Sequence, residues 1–447
     1  MNSKTNDMTT GSITGKIIAF TLPLLIGNLL QQTYNIADTL IVGKYLGDDA
    51  LAAVGATGSI TYLFYTLCIG LSIGSGILVS QYYGARLYDK LRLTVFNSAL
   101  LTLGFGVLTS LISCIFARNI LILLSVPKKL IDTSVSYMTV ACAGTVLIAA
   151  YNWINALMRA LGDSKTPLFF LALSCVLNIG LDLLFVFVFH FGVVGAAFAT
   201  VLSQGLSAVC CIVFFFMKND IAKLKREDMC IDSVILSKAF YTGVPIAVQN
   251  GLISVSMVAL QKVTNSFGSV VMAAYTVSMR IEQFVQQPFS SLSAAESTFT
   301  GQNIGAGKQE RAVYGLKQSV KLAVAFAVFA LVMLLIFSKQ LVGFFISGED
   351  SVVIASKALI MTACFYAPLG MIHTVRGFLN GCGDTSYALV NGMAEVISRI
   401  GLSLILTKVS SIGFWGIWIT TCATWFVTAL VSIIRYKGGK WKTKSKI

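Results

Sequence analysis

Long stretches without charge are the feature that most constrains how this chain of 447 residues can fold. An apolar helix needs about 20 residues to cross the roughly 30 Å hydrocarbon layer of a bilayer. Only 12% of the residues are charged and 56% are hydrophobic. The pattern predicts an all-α integral membrane protein with 12 transmembrane helices. Their predicted positions are 17–43, 51–81, 93–117, 133–157, 167–189, 193–217, 239–261, 269–297, 319–338, 352–375, 385–407 and 413–434.

The sequence repeats itself after a shift of 221 residues. The stretch "SQYYGARLYDK" falls on "GQNIGAGKQER", and "LGDSKTP" falls on "CGDTSYA". Each copy carries six spans, an even number, so both copies enter the membrane from the same side. This predicts two six-helix bundles related by a pseudo-two-fold axis along the membrane normal. We expect an N-terminal lobe at 1–217, a cytoplasmic linker at 218–234 and a C-terminal lobe at 235–447.

The net charge of +14 is distributed unevenly between the two sides of the membrane. Most Lys and Arg residues fall in loops on the same side as the N-terminus, which predicts that both termini are cytoplasmic in a bacterial-type inner membrane. The basic C-terminal tail is interpreted as a topology determinant that can touch anionic headgroups, so no nucleic-acid partner is expected. The chain has only two His residues and shows no nucleophile motif, so we expect neither an enzyme nor a cofactor.

Polar side chains inside the first, fifth and sixth predicted spans form a candidate cation site. A charged residue near the centre of a membrane helix costs about 2.5 to 3.5 kcal/mol, so each one needs a reason. Asp38, Asp182 and Thr200 each lie roughly 10 Å from the outer end of their span, and Asn178 lies one turn deeper than Asp182. Such oxygens can bind a small hard cation or share protons. Alternatively, they form hydrogen bonds between helices.

The second copy of the repeat lacks most of this set. Arg399 and Ser403 stand at the positions equivalent to Asn178 and Asp182, so the predicted cation site is not duplicated. Glu395 lies four residues before Arg399 and can pair with it on one helix face.

Two further acids lie in the eighth predicted span. Glu282 is a second candidate for binding a proton or a cationic substrate. Glu296 is near the inner end of the span, where we expect its carboxylate to reach water.

Several uncharged polar residues predict a substrate cavity. Gln31 and Tyr34 share a helix face with Asp38, and Asn152 lies three residues before Asn155. Together with Phe and Met side chains, these groups suit a bulky aromatic or cationic molecule. The alternative is that they only join helices. The repeated Gly-Asp pairs at Asp163 and Asp384 are interpreted as helix caps.

The opening "TLPLLIGNLLQQTYNIADTLIVGKYLG", the paired "SQYYGA" and "GQNIGAG" loops, "RALGDSKTP" and "NIGLDLL" resemble multidrug and toxic compound extrusion (MATE) transporters. The chain is similar to the prokaryotic branch related to the DNA-damage-inducible F proteins. The resemblance implies a pair of bundles that exports organic cations and other drugs by alternating access, in exchange for H+ or Na+. We expect a monomer in the lipid bilayer. The alternative is a flippase or exporter of a lipid-linked or amphipathic metabolite.

The resemblance also implies roles for individual residues. The cation site, with Na+ possible there as the bound metal, would consist of Asp38, Asn178, Asp182 and Thr200. The drug cavity would be lined by Gln31, Tyr34, Asn152 and Asn155, and Glu282 resembles an acid found in the eighth span of other members. One branch of the family also uses acids in the seventh and tenth spans, which this sequence lacks.

Overall fold

The computed structural model describes residues 7–124 and 126–447, with Ser59 described by its backbone alone. Within these residues the chain forms fourteen α-helices and no strand. The helices are α1 Ile13–Leu46, α2 Asp48–Gly84, α3 Tyr88–Leu123, α4 Lys128–Ala143, α5 Thr145–Ala160, α6 Lys165–Asp182, α7 Gly192–Lys218, α8 Ser233–Asn265, α9 Ser269–Gly305, α10 Gln309–Gly343, α11 Glu349–Ala363, α12 Tyr366–Gly381, α13 Ser386–Leu406 and α14 Gly416–Lys437.

These helices account for the twelve predicted spans. By length and composition, the described residues contain nine helices able to cross a membrane, or eleven if the pairs α4–α5 and α11–α12 each form one bent span. The remaining predicted span is α9, which has 37 residues but is richer in polar side chains. The protein is therefore an all-α integral membrane protein, as the charge-poor windows predict.

Two spans are broken at equivalent positions of the repeat, which the sequence windows did not predict. The axes of α4 and α5 differ by 42° and those of α11 and α12 by 52°. The first break falls at Gly144, where a Cβ atom would collide with the Val201 side chain. The second precedes Pro368, which lacks the N–H that would continue the hydrogen-bond ladder. The two copies therefore reach the same bend through different residues.

The chain divides into two compact units. The first contains residues 22–247 and 446–447, and the second contains residues 8–21 and 248–445. In the first unit, α2, α3, α5 and α7 pack together around buried side chains that include Trp153, Leu157 and Phe215. In the second unit, α9, α10, α12 and α14 pack together, and Phe378 and Trp441 belong to its core.

The repeated glutamines of the "SQYYGA" and "GQNIGAG" loops both bind terminal segments. The Gln302 side chain accepts a hydrogen bond from the N–H of Met8 at 3.0 Å. Arg311 donates to the carbonyl oxygens of Met8 and of two of the next three residues. In the first unit, Gln81 accepts the N–H of Lys446 at 2.9 Å. The repeat has therefore kept one hydrogen-bonding role for the glutamine in both copies.

The glycine of each Gly-Asp pair ends a helix with a φ of 84° in both copies, as predicted, but the aspartate caps the next helix in only one copy. Asp163 accepts the N–H groups of Lys165 and Thr166, both at 3.0 Å, at the start of α6. Asp384 instead receives two hydrogen bonds from the Arg435 guanidinium, at 2.7 and 2.8 Å. The prediction of a cap at Asp384 was wrong because a cation from α14 reaches the carboxylate.

The prediction that Glu296 reaches water was also wrong. Its side chain is fully buried. One carboxylate oxygen accepts from the Thr300 hydroxyl at 2.8 Å and the other from the Ser319 hydroxyl at 2.5 Å. Two protein hydroxyls, one from the same helix and one from α10, take the place of water.

Candidate cation and substrate site

Three helices of the first unit carry the predicted cation ligands. Asp38 lies in the C-terminal half of α1, Asn178 and Asp182 lie in the last turns of α6, and Thr200 lies in the first half of α7. Asn178 and Asp182 are four residues apart, so both project from one face of α6.

An apolar cluster lies one helical turn from three of these residues. Val42, Val186 and Ala196 are buried together. Val42 follows Asp38 by four residues, Val186 follows Asp182 by four, and Ala196 precedes Thr200 by four. The cluster therefore holds the three polar positions at one level of the unit.

The chain changes its helical geometry directly after Asp182. Residues Leu183–Val188 form a π-helical segment, a wider turn that often occurs at functional sites. Its Phe185 ring lies 6.0 Å from the Phe191 ring and 5.3 Å from the Phe198 ring, measured between centroids. Phe185 is buried, whereas Phe191 and Phe198 lie about half exposed on the surface of the protein.

The carboxyl groups of Asp38 and Asp182 lie close enough to interact directly with each other. Asp182 is fully buried and Asn178 nearly so. The Asn178 amide donates to the Thr200 hydroxyl at 3.3 Å. Both Asp182 oxygens, Asp38 Oδ1 and Asn178 Oδ1 are buried, and no group among the described residues donates to them. A buried carboxylate without a donor is costly unless it is protonated or binds a cation.

Tyr137 of α4 is a residue of this site that the sequence argument missed. Its phenol lies within electrostatic range of Asp38, Asp182 and Tyr34. The position equivalent to Tyr137 in the second copy is Ala358. A comparison of the two copies for unmatched polar residues, which singles out Asp182, could therefore also have found Tyr137.

The predicted cavity residues fall into two groups within the first unit. The Tyr34 hydroxyl accepts from the Gln204 amide at 3.5 Å and lies near the Gln31 side chain. Gln204 lies four residues after Thr200 on α7 and was not predicted. On α5, Asn152 donates to the carbonyl of its own helix at 2.9 Å. Asn155 is buried, with its oxygen 3.9 Å from the Cys211 sulfur.

Glu282 belongs to the second unit and forms a separate cluster there. It is nearly fully buried, its Oε1 has no donor among the described residues, and it lies near Thr362 of α11, whose hydroxyl donates to the Leu359 carbonyl at 3.2 Å. Arg399 lies within electrostatic range of Glu282 and forms an ion pair with Glu395 at 2.7 Å. The spacing of Glu395 and Arg399 predicts that pair, whereas the neighbour from α11 had no signal in the sequence.

The donor set at the acid pair consists of oxygens only. Two carboxylates, an amide and a hydroxyl suit H+ or a hard monovalent cation. The described part of the chain contains no group of three or more His, Cys, Asp or Glu side chains that could hold a metal ion.

Comparison with known proteins matches this arrangement to a family. The model of the MatE family matches residues 23–184 and again residues 245–405. The chain belongs to the MatE family. Because the family model matches twice, it also supports the internal repeat read from the sequence.

Relatives of this MatE protein cover almost its whole length. It is 28% identical to the probable multidrug resistance protein YpnP of Bacillus subtilis over 447 residues, 98% of each chain. It is 23% identical to the probable multidrug resistance protein NorM of Thermotoga maritima over 435 residues, 96% of this chain and 93% of that one. A crystal structure of MATE in complex with MaL6 has the same fold, with a TM-score of 0.92 at 24% identity, covering 99% of this chain and 100% of that one.

Family membership determines the general class of activity. MatE proteins of this kind are membrane transporters and not enzymes, so the chain is a multi-pass membrane transporter. The predicted MATE resemblance is confirmed, and the assignment to the DNA-damage-inducible F branch stays a prediction.

Proposed function

We propose that the protein is a cation-coupled antiporter that exports organic cations or other drugs by alternating access. Its relatives YpnP and NorM are described as probable multidrug resistance proteins. The observation that carries the coupling is the neighbouring pair of carboxyl groups of Asp38 and Asp182, in which both Asp182 oxygens and Asp38 Oδ1 are buried without a donor among the described residues.

The acid pair supplies a reason for a cation to bind and to be released. Two neighbouring carboxylates disfavour simultaneous ionisation, so a proton or a Na+ ion between them relieves their repulsion. Thr200 and Asn178 add two neutral oxygens at the same site. Asp38 belongs to α1 and Asp182 to α6, so cation binding favours the arrangement in which these two helices are close.

The substrate site would be lined by Gln31, Tyr34, Asn152 and Asn155 in the first unit. In the second unit, Glu282 is a second candidate for binding a proton or a cationic substrate. Tyr34 and the neighbouring Tyr137 offer aromatic faces for a cationic or aromatic molecule. Export requires that cation and drug favour different conformers, because a ligand that binds both conformers equally shifts nothing.

The membrane setting follows from the distribution of charge. We place the protein in a bacterial-type inner membrane as a monomer, with both termini in the cytoplasm. Its lobes would be 1–217 and 235–447, joined by the linker 218–234. Each inward positive charge then gains about 2.3 kcal/mol per 100 mV of membrane potential, which drives export.

Transport of a fluorescent organic cation by the protein in vesicles tests the proposal. A proton gradient and a Na+ gradient are imposed separately, at equal ionic strength. We expect one gradient to drive transport at least tenfold above the rate without a gradient, and Asp38→Asn and Asp182→Asn to abolish that stimulation. Absence of stimulation by either gradient would overturn the coupling.

A matched control separates loss of coupling from loss of folding. Asp132→Asn removes an acid at an exposed position, where Asp132 pairs with Arg118 at 2.9 Å. We expect this variant to keep gradient-driven transport. Binding of the fluorescent substrate to the purified Asp38→Asn variant verifies that its fold is retained. Equal loss of transport in Asp132→Asn would contradict the assignment of the site.

A further inference from the structure

A pocket of about 520 Å³ lies where the first turns of α10 meet the end of α14 and the C-terminal tail. Its basic and aromatic lining consists of Tyr314 and Lys317 from α10, Tyr436 and Lys437 from α14, and Trp441 and Lys442 from the tail. We call this the tail pocket. All of these residues belong to the second unit.

The tail folds back to form the floor of the tail pocket. The chain turns at Gly439, which has a φ of 68°. The Trp441 ring then stacks on Tyr436, with the two planes 1° apart, and meets Phe378 edge-on at 4.9 Å between centroids. Its indole N–H donates to the Tyr436 carbonyl at 3.0 Å. Trp441 is only 4% exposed, so the floor is a packed part of the protein.

Three lysines from three separate segments converge on this floor. Lys317, Lys437 and Lys442 line the pocket, and Lys442 Nζ lies 5.9 Å from the Trp441 ring centroid. Glu310 also lines the pocket, which leaves a net formal charge of two positive units. The equivalents of Lys317 and Lys437 in the first copy are phenylalanines, so the basic lining belongs to the second copy alone.

An apolar stripe runs along α14 toward the tail pocket. Phe426, Leu430 and Ile434 follow one another at four-residue spacing on one face of the helix. Their side chains are 51%, 43% and 69% exposed on the protein surface. In a membrane this stripe faces lipid tails. It ends at Ile434, about one helical turn before Lys437. A ligand with a negative head and an apolar tail matches both features together.

We propose that the tail pocket binds the headgroup of an anionic phospholipid from the leaflet on the side of the termini. Basic pockets between membrane helices bind such headgroups, and aromatic side chains are enriched at the same level of the bilayer. The lysine ammonium groups hold the phosphate, Trp441 forms the floor, Tyr314 lines the side, and the α14 stripe contacts the acyl chains. The residues of this site are not those of the proposed cation site, so the lipid proposal does not depend on the antiport proposal.

Lipid retention measured by native mass spectrometry tests the assignment. The intact protein is exchanged into detergent that contains equal amounts of phosphatidylglycerol and phosphatidylcholine. The pocket variant combines Lys317→Gln, Lys437→Gln and Lys442→Gln. A control variant, Lys218→Gln with Lys223→Gln and Lys225→Gln, removes the same charge from exposed positions of the linker region.

We expect the unchanged protein and the control variant to prefer phosphatidylglycerol and to bind it with similar affinity. Each lysine near an anionic surface contributes roughly fivefold, so the pocket variant should lose on the order of a hundredfold in affinity. Equal loss in both variants, or equal binding of the two lipids, would overturn the site. Displacement of phosphatidylglycerol by inorganic phosphate, but not by chloride at the same ionic strength, would instead assign the pocket to soluble phosphate.

Discussion

Replacing Asp384 by asparagine should destabilise the protein far more than the same change at its repeat equivalent, Asp163. The sequence places both acids directly after a glycine in matching loops. In the structure, Asp163 accepts two backbone N–H groups at 3.0 Å. Asp384 is fully buried and accepts two hydrogen bonds from Arg435, at 2.7 and 2.8 Å. The two substitutions therefore remove different interactions.

The expected magnitudes follow from these partners. Asparagine is about as good a helix cap as aspartate, so Asp163→Asn should change the free energy of unfolding by less than about 0.5 kcal/mol. Breaking a fully buried ion pair costs about 3 to 5 kcal/mol. The Arg435 side chain is 24% exposed, so water can partly rehydrate its charge, and the introduced amide would still offer one acceptor oxygen. We therefore expect a loss of about 2 to 3 kcal/mol for Asp384→Asn, roughly 30- to 150-fold in the unfolding equilibrium.

Unfolding of the purified protein by a denaturing detergent, followed by tryptophan fluorescence, measures both changes. A third variant, Arg435→Lys, keeps the charge but loses the bidentate hydrogen bonds to Asp384. Its unfolding midpoint should therefore lie between the midpoints of the other two variants. Similar unfolding midpoints for Asp384→Asn and Asp163→Asn would refute the reasoning. They would show that the buried ion pair of Asp384 stabilises the protein no more than the helix cap at Asp163 does.

Two further predictions concern close packing and the N-terminal segment. A Cβ atom at Gly74 would lie 2.5 Å from the backbone of α8, so Gly74→Ala should cost about 1 to 3 kcal/mol in the same unfolding assay. Gly104→Ala, where a Cβ meets nothing within 4 Å, should be neutral or slightly stabilising, and equal effects would contradict the packing argument. Arg311→Ala removes donors from the Met8–Gly11 carbonyls, so amide exchange of that segment should become faster by mass spectrometry. Lys90→Ala, the same change at the equivalent position of the first copy, should leave the exchange rate of this segment unchanged. An unchanged rate in Arg311→Ala would show that contacts other than Arg311 keep residues 8–11 in place.

The spans were predictable because hydrocarbon imposes a length and a composition on any helix that crosses it. The bends within 133–157 and 352–375 were not. At Gly144 the break lies where the Val201 side chain of another helix leaves no room for a Cβ atom, which is a tertiary contact. Pro368 is a local signal, but it lies at the start of a helix, where proline is tolerated. Hydropathy windows average over such positions and cannot resolve them.

Within the site, helical periodicity grouped residues that share a helix face. It related Asn178 to Asp182 and Gln31 to Tyr34 because those pairs depend only on the helix repeat. It could not identify Tyr137, because the contribution of another helix depends on how the helices pack. The Ser319 hydroxyl on Glu296 was missed for the same reason, since it comes from α10. The Thr300 hydroxyl lies four residues after Glu296 on α9, so the helix repeat could have predicted that contact.

The contrast between the two units strengthens the argument for the cation site. In the second unit three buried acids have protein partners: Glu395 pairs with Arg399, Asp384 with Arg435, and Glu296 with two hydroxyls. Glu282 is the exception among the described buried acids of this unit, because its Oε1 has no donor. In the first unit both oxygens of Asp182 lack a donor among the described residues. A duplicated scaffold offers the same helix positions twice, so the difference lies in the side chains. An acid that already pairs with an arginine gains little free energy from binding a cation. At Asp38 and Asp182, a bound cation would remove the repulsion between two carboxylates, so its binding is favourable.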